Sequence, residues 1–188
     1  MKDNKLEVIV SHELDIKMSL IKVSILNQAD SRGEFRKYFS EDILASIPDF
    51  GRPVEMYSSS SHSGVIRGLH FQHGQNKLSR LVWVSSGEID DVAVDLRKGD
   101  SYGQIHRTHL RDSEHVLIYI PWYFAHGFQV LSENATVNYL TNRPYSPKDE
   151  AGFHYDSFGM TWTSKPTEVS KRDLGLPPFS EIDALSYE

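Results

Sequence analysis

Short segments rich in Val, Ile, Tyr and Thr follow one another through the middle of the chain, each bounded by Gly, Ser, Asn or Pro. Such residues suit a pleated, half-buried surface, and turn residues at such close intervals leave no room for long helices. Strands are predicted over residues 21–26, 53–58, 64–71, 78–84, 89–96, 104–110, 115–120, 127–131 and 136–140. Ser85-Ser86-Gly87-Glu88 reads as a tight turn that joins two of them into a hairpin. Many short strands separated by turn signals build an all-β sandwich or barrel. Two short helices are predicted to flank it. Ser40-Glu41-Asp42 supplies an N-cap and first-turn acids ahead of residues 43–47, and the second helix is placed at residues 180–186. Residues 164–178, with Lys165-Pro166 and Pro177-Pro178, are predicted as mostly extended loop. With 188 residues and no internal repeat, a single domain over residues 1–188 is expected.

Charge and sulfur narrow the chemistry. Twenty Lys and Arg against 26 Asp and Glu leave a net charge of −6 without a basic run, which argues against nucleic acid as a partner. The chain has no cysteine, so disulfides, thiolate catalysis and Cys-ligated zinc are excluded, and a reducing cytoplasm is the expected location. The opening MKDNKLEVIV lacks the apolar stretch of a secretion signal, and no apolar run approaches the ~20 residues of a membrane span.

Two histidines stand out by placement. His70 sits in Gly64-Val65-Ile66-Arg67-Gly68-Leu69-His70-Phe71-Gln72, and His126 lies between Ile120-Pro121-Trp122-Tyr123-Phe124-Ala125 and Gly127-Phe128. Polar groups in apolar strands need partners or a wet cavity. The two rings are therefore either core histidines satisfied by carbonyls or the lining of a pocket. Pro121 and His126 have the spacing of the second motif of cupin barrels (Pro-x-Gly-x-x-His), with Tyr123 at the glycine. The first cupin motif needs histidines two residues apart on one strand face; His70 and His73 are three apart, and Gln75 and Asn76 stand where an acid is needed. No metal site is expected, and His73 is expected in a loop.

The runs Gly64–Gln72, Gly87-Glu88-Ile89-Asp90-Asp91-Val92-Ala93-Val94-Asp95-Leu96-Arg97 and Phe124-Ala125-His126-Gly127-Phe128 resemble the dTDP-4-dehydrorhamnose 3,5-epimerase family. The likeness continues through Asp30-Ser31-Arg32-Gly33, Tyr145-Ser146-Pro147, Glu150 and Ser170-Lys171-Arg172-Asp173, covering about residues 20–178. It implies a cupin-like jelly-roll barrel without metal or other cofactor, acting on a nucleotide-linked 4-keto-6-deoxy sugar, dTDP-linked foremost, as a homodimer. It also implies residue roles: His70 as general base with Asp173 behind it, and Tyr139 as general acid. Arg67, His126, Gln72 and Ser59 fall among substrate contacts, and Arg32 falls on a nucleotide contact made across a dimer interface. Where the family has Lys before Leu-Val this chain has Arg80, with Lys77 in the adjoining loop as the alternative cation. Pro144, Glu34 and Lys37 also depart from the family pattern.

The chemistry fits those residue types. Removing a proton beside a ketone requires a base near neutral pKa, a donor or cation at the carbonyl oxygen, and an acid on the opposite face to invert the centre. A histidine backed by a carboxylate supplies the first, because the acid fixes its tautomer and supports the imidazolium. Strict alternation sets Arg67 and His70 on opposite strand faces, so a bulge at Gly68 is expected to bring both into one site. The competing readings are a related ketoisomerase or single-centre epimerase, a catalytically silent nucleotide-sugar binding module, and a metal-dependent cupin.

Overall fold

The computed structural model describes residues 10–11, 21–24 and 27–186; the end of the first predicted strand, residues 25–26, lies outside them. In chain order the strands are β1 (Val10–Ser11), β2 (Ile21–Ser24), β3 (Asn27–Asp30), β4 (Gly33–Arg36), β5 (Glu55–His62), β6 (Ile66–Gln72) and β7 (Arg80–Ser86). They continue as β8 (Glu88–Asp95), β9 (Ile105–Arg111), β10 (Val116–Ile120), β11 (Phe124–Val130), β12 (Asn134–Thr141) and β13 (Glu150–Gly152). Helix α1 (Glu41–Ala45) precedes β5, and α2 (Lys171–Leu174) follows β13.

Two antiparallel sheets form, one ordered β1-β2-β10-β7-β12-β5 and the other β13-β6-β11-β8-β9, with β3 and β4 paired apart as a hairpin. Period-two alternation explains how they stack. Val82 and Val84 of β7 point between the sheets and join Ile89 and Ala93 of β8, Phe124 and Phe128 of β11, and Val137 of β12 in one core. Leu81 and Trp83 point the other way, onto Ile43, Ile47 and Phe50 in and after α1. On the outer face of the five-stranded sheet, Leu69, Val92 and Val94 are covered by Phe153 and Met160, with Phe179 packed against them. The central strands of both sheets are thus buried on two faces, which explains near-continuous apolar runs such as Val116–Ile120. The architecture is the expected cupin-like jelly roll, made of two facing sheets.

Several expectations are corrected. The turn at Ser85–Glu88 does not close a hairpin, because β7 and β8 lie in different sheets. Gly87 is the corner where the chain changes sheet: its φ is +81°, and a Cβ there would meet the Asn134 carbonyl oxygen at 2.1 Å. Strand β5 runs on through Ser59–Ser61 to His62, past the predicted end at residue 58; serine has little strand preference, and the full ladder with β12 holds it there. Strand β11 starts at Phe124, three residues before the predicted start. The second flanking helix reduces to a 3-10 turn at Phe179–Glu181, while the supposed loop of residues 164–178 contains α2. The first helix matches its expected cap, with Ser40 Oγ accepting from the Ile43 N–H at 3.3 Å.

The bulge at Gly68 is present. The β6–β11 register shifts between His126 and Phe128, opposite Gly68, whose φ is +120°. An added Cβ would lie 2.5 Å from Gly127 Cα. Gly68→Ala therefore meets both backbone strain and a main-chain clash, together about 3 kcal/mol, or a fall in Tm of roughly 6–12 °C in thermal unfolding. An unchanged Tm would show that the backbone relaxes freely here.

Candidate active site

A cavity of about 790 Å³ opens between the sheets, walled by β5, β7 and β12 on one side and by β6, β11 and α2 on the other. His70, Arg67 and His126 line it from the five-stranded sheet; Tyr139, Arg80 and Ser59 line it from the six-stranded sheet. The bulge accounts for Arg67 and His70 sharing one site despite their odd spacing.

His70 Nε2 lies 2.9 Å from Asp173 Oδ1. Asp173 is placed by α2, whose N-cap Ser170 accepts from the Asp173 N–H at 3.0 Å, and its second oxygen accepts from the Gly68 N–H at 3.3 Å. Burial pushes this carboxyl up, but the hydrogen bond and charge of His70, the Gly68 N–H and Arg172 outweigh it and hold the pKa at about 2. Asp173 is therefore an anion throughout the physiological range, suited to fixing the His70 tautomer and supporting its imidazolium. On the neighbouring strand His126 pairs in register with His70, and its Nε2 lies 2.6 Å from Asp91 Oδ2, both side chains almost fully buried.

Tyr139 faces them from the opposite sheet. It stacks on its cross-strand neighbour Tyr57 with ring centres 4.8 Å apart, and its ring meets His126 edge-on at 6.3 Å. Burial raises the Tyr139 phenol well above its ordinary value; nearby Ser59 and the Arg80 charge act in the other direction. Ser59 is close without a well-formed hydrogen bond, since its buried Oγ has no such partner among the described residues. In register, Arg80 faces Thr141, which faces Glu55, so a cation and a carboxylate flank one threonine on this wall. Arg80 makes no ion pair among the described residues, which leaves its guanidinium available to a ligand. Arg67 donates from Nε to Ser61 Oγ at 2.8 Å.

Two expected contacts stand elsewhere, and a third lies at the cavity but is already bonded. Lys77 does not line the cavity; its ammonium sits 4.1 Å from the centre of the Trp122 ring. Arg32 lies at the β3–β4 turn, its side chain 87% exposed and paired with Asp30, outside the cavity of its own chain. Gln72 borders the cavity, but its amide is spent on the Asn76 and Pro144 carbonyls and the Ser146 N–H, so it braces the wall. His73 is exposed at the end of β6, as expected of a loop residue. Among the described residues, no three His, Asp or Glu side chains converge as a metal ion requires.

Sequence reasoning missed Asp91, Tyr57 and Arg172. The rule applied to His70, that a polar residue in an apolar strand needs a reason, would have found Asp91 between Asp90 and Val92. Arg172 touches His70, Asp173 and Glu150 at the cavity edge. Nothing local marks Tyr57, whose place follows from its register with Tyr139.

Residues 16–181 match the model of the dTDP-4-dehydrorhamnose 3,5-epimerase family. The enzyme of that name from Methanothermobacter thermautotrophicus is 38% identical over 158 residues, covering 81% of this chain and 85% of its own. A solved dTDP-4-dehydrorhamnose 3,5-epimerase from Sulfolobus tokodaii superposes with a TM-score of 0.84 at 29% identity, covering 92% of this chain and 97% of its own. A dTDP-6-deoxy-D-glucose-3,5-epimerase from Legionella pneumophila, solved with dTDP-4-keto-L-rhamnose, gives a TM-score of 0.84 at 31% identity over 95% of this chain and 97% of its own. With a histidine–carboxylate pair and a tyrosine facing each other across one cavity, and with likeness along most of its length, the chain belongs to the dTDP-4-dehydrorhamnose 3,5-epimerase family.

Proposed function

We propose that this protein epimerises C3, C5 or both in a dTDP-linked 4-keto-6-deoxy sugar, in activated deoxysugar biosynthesis. The observation that carries the reading is the placement of His70 on one sheet, backed by Asp173 of α2, and of Tyr139 on the other, with the cavity between them. A sugar ring held there has a base on one face and an acid on the opposite face. His70 takes the proton beside the ketone, Asp173 steadies the imidazolium, and the enolate oxygen rests against Arg80. Tyr139 then returns a proton from the other side, which inverts the centre. Its raised pKa keeps it protonated until that step. Arg67 faces the diphosphate. The ligand bound to the Legionella relative, a dTDP-linked keto sugar, supports this substrate class.

A homodimer completes the proposal. Arg32 is exposed on the β3–β4 turn, outside the cavity of its own chain, which suits a contact made to a second copy. Phe35, Val54 and Met56 are all more than half exposed and offer apolar surface for such a contact. A cytoplasmic location agrees with the lack of cysteine and with the described residues, which include no helix long and apolar enough to cross a membrane.

The test is incubation with dTDP-4-keto-6-deoxyglucose in heavy water, followed by NMR of C3 and C5. Deuterium is expected at one or both carbons, with inverted products. Binding without any exchange would reduce the protein to a nucleotide-sugar binding module.

A further inference from the structure

Tyr57 and Tyr139 are directly opposite residues of β5 and β12, so both side chains leave the same face of the six-stranded sheet, and both line the cavity with His70 on the other wall. Their rings stand side by side, with centres 4.8 Å apart and planes inclined by 20°. Arg80 is two residues from Val82, the partner of Tyr139 on β7, and its charge acts on both phenols. One cation thus attends two phenols. A 4-keto sugar has the same pattern, because its carbonyl carbon is flanked by C3 and C5, each with an exchangeable proton. In a chair whose substituents are equatorial, those two hydrogens are axial and share one face of the ring. A single base can therefore reach both, but inversion at each carbon needs its own proton from the other face. A phenol aimed at one carbon is badly placed for the other.

We propose that Tyr57 is a second general acid, so that the stacked pair returns one proton to C3 and one to C5; this rests on the epimerase reading and on His70 as the base. At each centre His70 takes the C–H proton, and the electron pair of that bond moves into an enolate whose oxygen rests against Arg80. A phenol O–H then delivers its proton to the opposite face of the same carbon, which restores the ketone. The phenolate regains a proton from water and the imidazolium releases one to it, so each inversion ends with the protein as it began. Tyr57 is suited to this work. Partial burial holds its phenol above the ordinary value, so it carries a proton to give. Its residue is 44% exposed, so the phenolate is recharged directly from solvent. The stack on Tyr139 fixes the ring, which keeps the second hydroxyl in place beside the first.

The test compares the wild type, Tyr57→Phe and Tyr139→Phe on dTDP-4-keto-6-deoxyglucose in heavy water, with NMR reading deuterium content and configuration at C3 and C5 separately. Tyr57→Phe keeps the stacked ring and removes only the hydroxyl. The wild type is expected to invert both carbons. Tyr57→Phe should slow inversion at one carbon by about a hundredfold or more, the usual worth of a positioned acid, and leave the other carbon nearly unaffected. The affected carbon should still gain deuterium with its configuration retained, because His70 can return a deuteron from its own side. Tyr139→Phe should show the complementary loss. A merely structural role for Tyr57 would slow both carbons alike. Equal slowing, near-normal inversion of both carbons by Tyr57→Phe, or loss of inversion at both in Tyr139→Phe overturns the second acid and leaves the epimerase reading standing. A wild type that inverts only one carbon does the same. A wild type that exchanges neither carbon removes the epimerase reading itself, and the second acid with it.

Discussion

His70→Asn is expected to lower deuterium incorporation from heavy water by about 10²–10⁴-fold, the usual worth of a positioned general base. Asparagine can still reach toward Asp173 but has no basic nitrogen. The fold should survive, because His70 is at the cavity surface with its side chain 18% exposed and takes no part in the apolar clusters. Affinity for the nucleotide sugar should change only a few-fold, since the cations Arg67 and Arg80 remain. Exchange at a rate near that of the wild type would remove His70 from the role of base. His126 would then be the group to examine, because it has its own carboxylate, Asp91, and lies beside His70 in register.

The barrel walls were legible in the sequence where alternation and turn residues agree. Strands β6, β7, β8 and β12 fall within a few residues of their predicted positions because each carries apolar residues on the faces that the two sheets bury. The reading failed where a local signal was correct but its partner was not local. Ser85–Glu88 is a real turn, yet whether a turn folds a strand back on its neighbour or sends it to another sheet depends on what Gly87 packs against, here the Asn134–Ala135 backbone. Ser59–Ser61 form a strand because β12 supplies a complete ladder, which no property of serine announces. Helix α2 has only four residues, too few for any periodic pattern, although Ser170 three residues before Asp173 is an N-cap signature in hindsight.

For the site, family resemblance supplied what periodicity could not. No spacing rule connects His70 with Asp173, which are 103 residues apart in sequence and meet because the segment around Val169 runs parallel to the start of β6 and leads into α2. The Gly68 bulge is the exception: the conflict between Arg67 and His70 was visible in the alternation, and the glycine between them marked where the strand could bulge to relieve it. Arg172 was invisible for the opposite reason. An arginine in a polar tail is ordinarily solvated, and its importance comes from lying one residue before an aspartate that α2 turns into the cavity.

Arg80→Ala is expected to cut turnover by about 10²–10³-fold, equivalent to about 2.7–4 kcal/mol, with a much smaller effect on substrate affinity. That is the loss produced elsewhere by removing one preorganised donor from a developing oxyanion. Arg80 stands at the start of β7, held in a central strand between β10 and β12, and forms no ion pair among the described residues that would compete for its charge. Arg80→Lys should recover part of the rate, since it keeps the charge and loses the fork. Lys77→Ala should be nearly silent because that ammonium is held over Trp122, outside the cavity. A crippled Lys77→Ala beside an active Arg80→Ala would reverse the assignment. Arg80 also draws down the pKa of Tyr139, so the same substitution disfavours the phenolate left after proton return. The two roles separate by product analysis. If Arg80 stabilises the enolate, wash-in and inversion fall together, because no carbanion forms. If it serves only Tyr139, wash-in from the His70 side persists while inversion is lost, and the oxyanion role is then untenable.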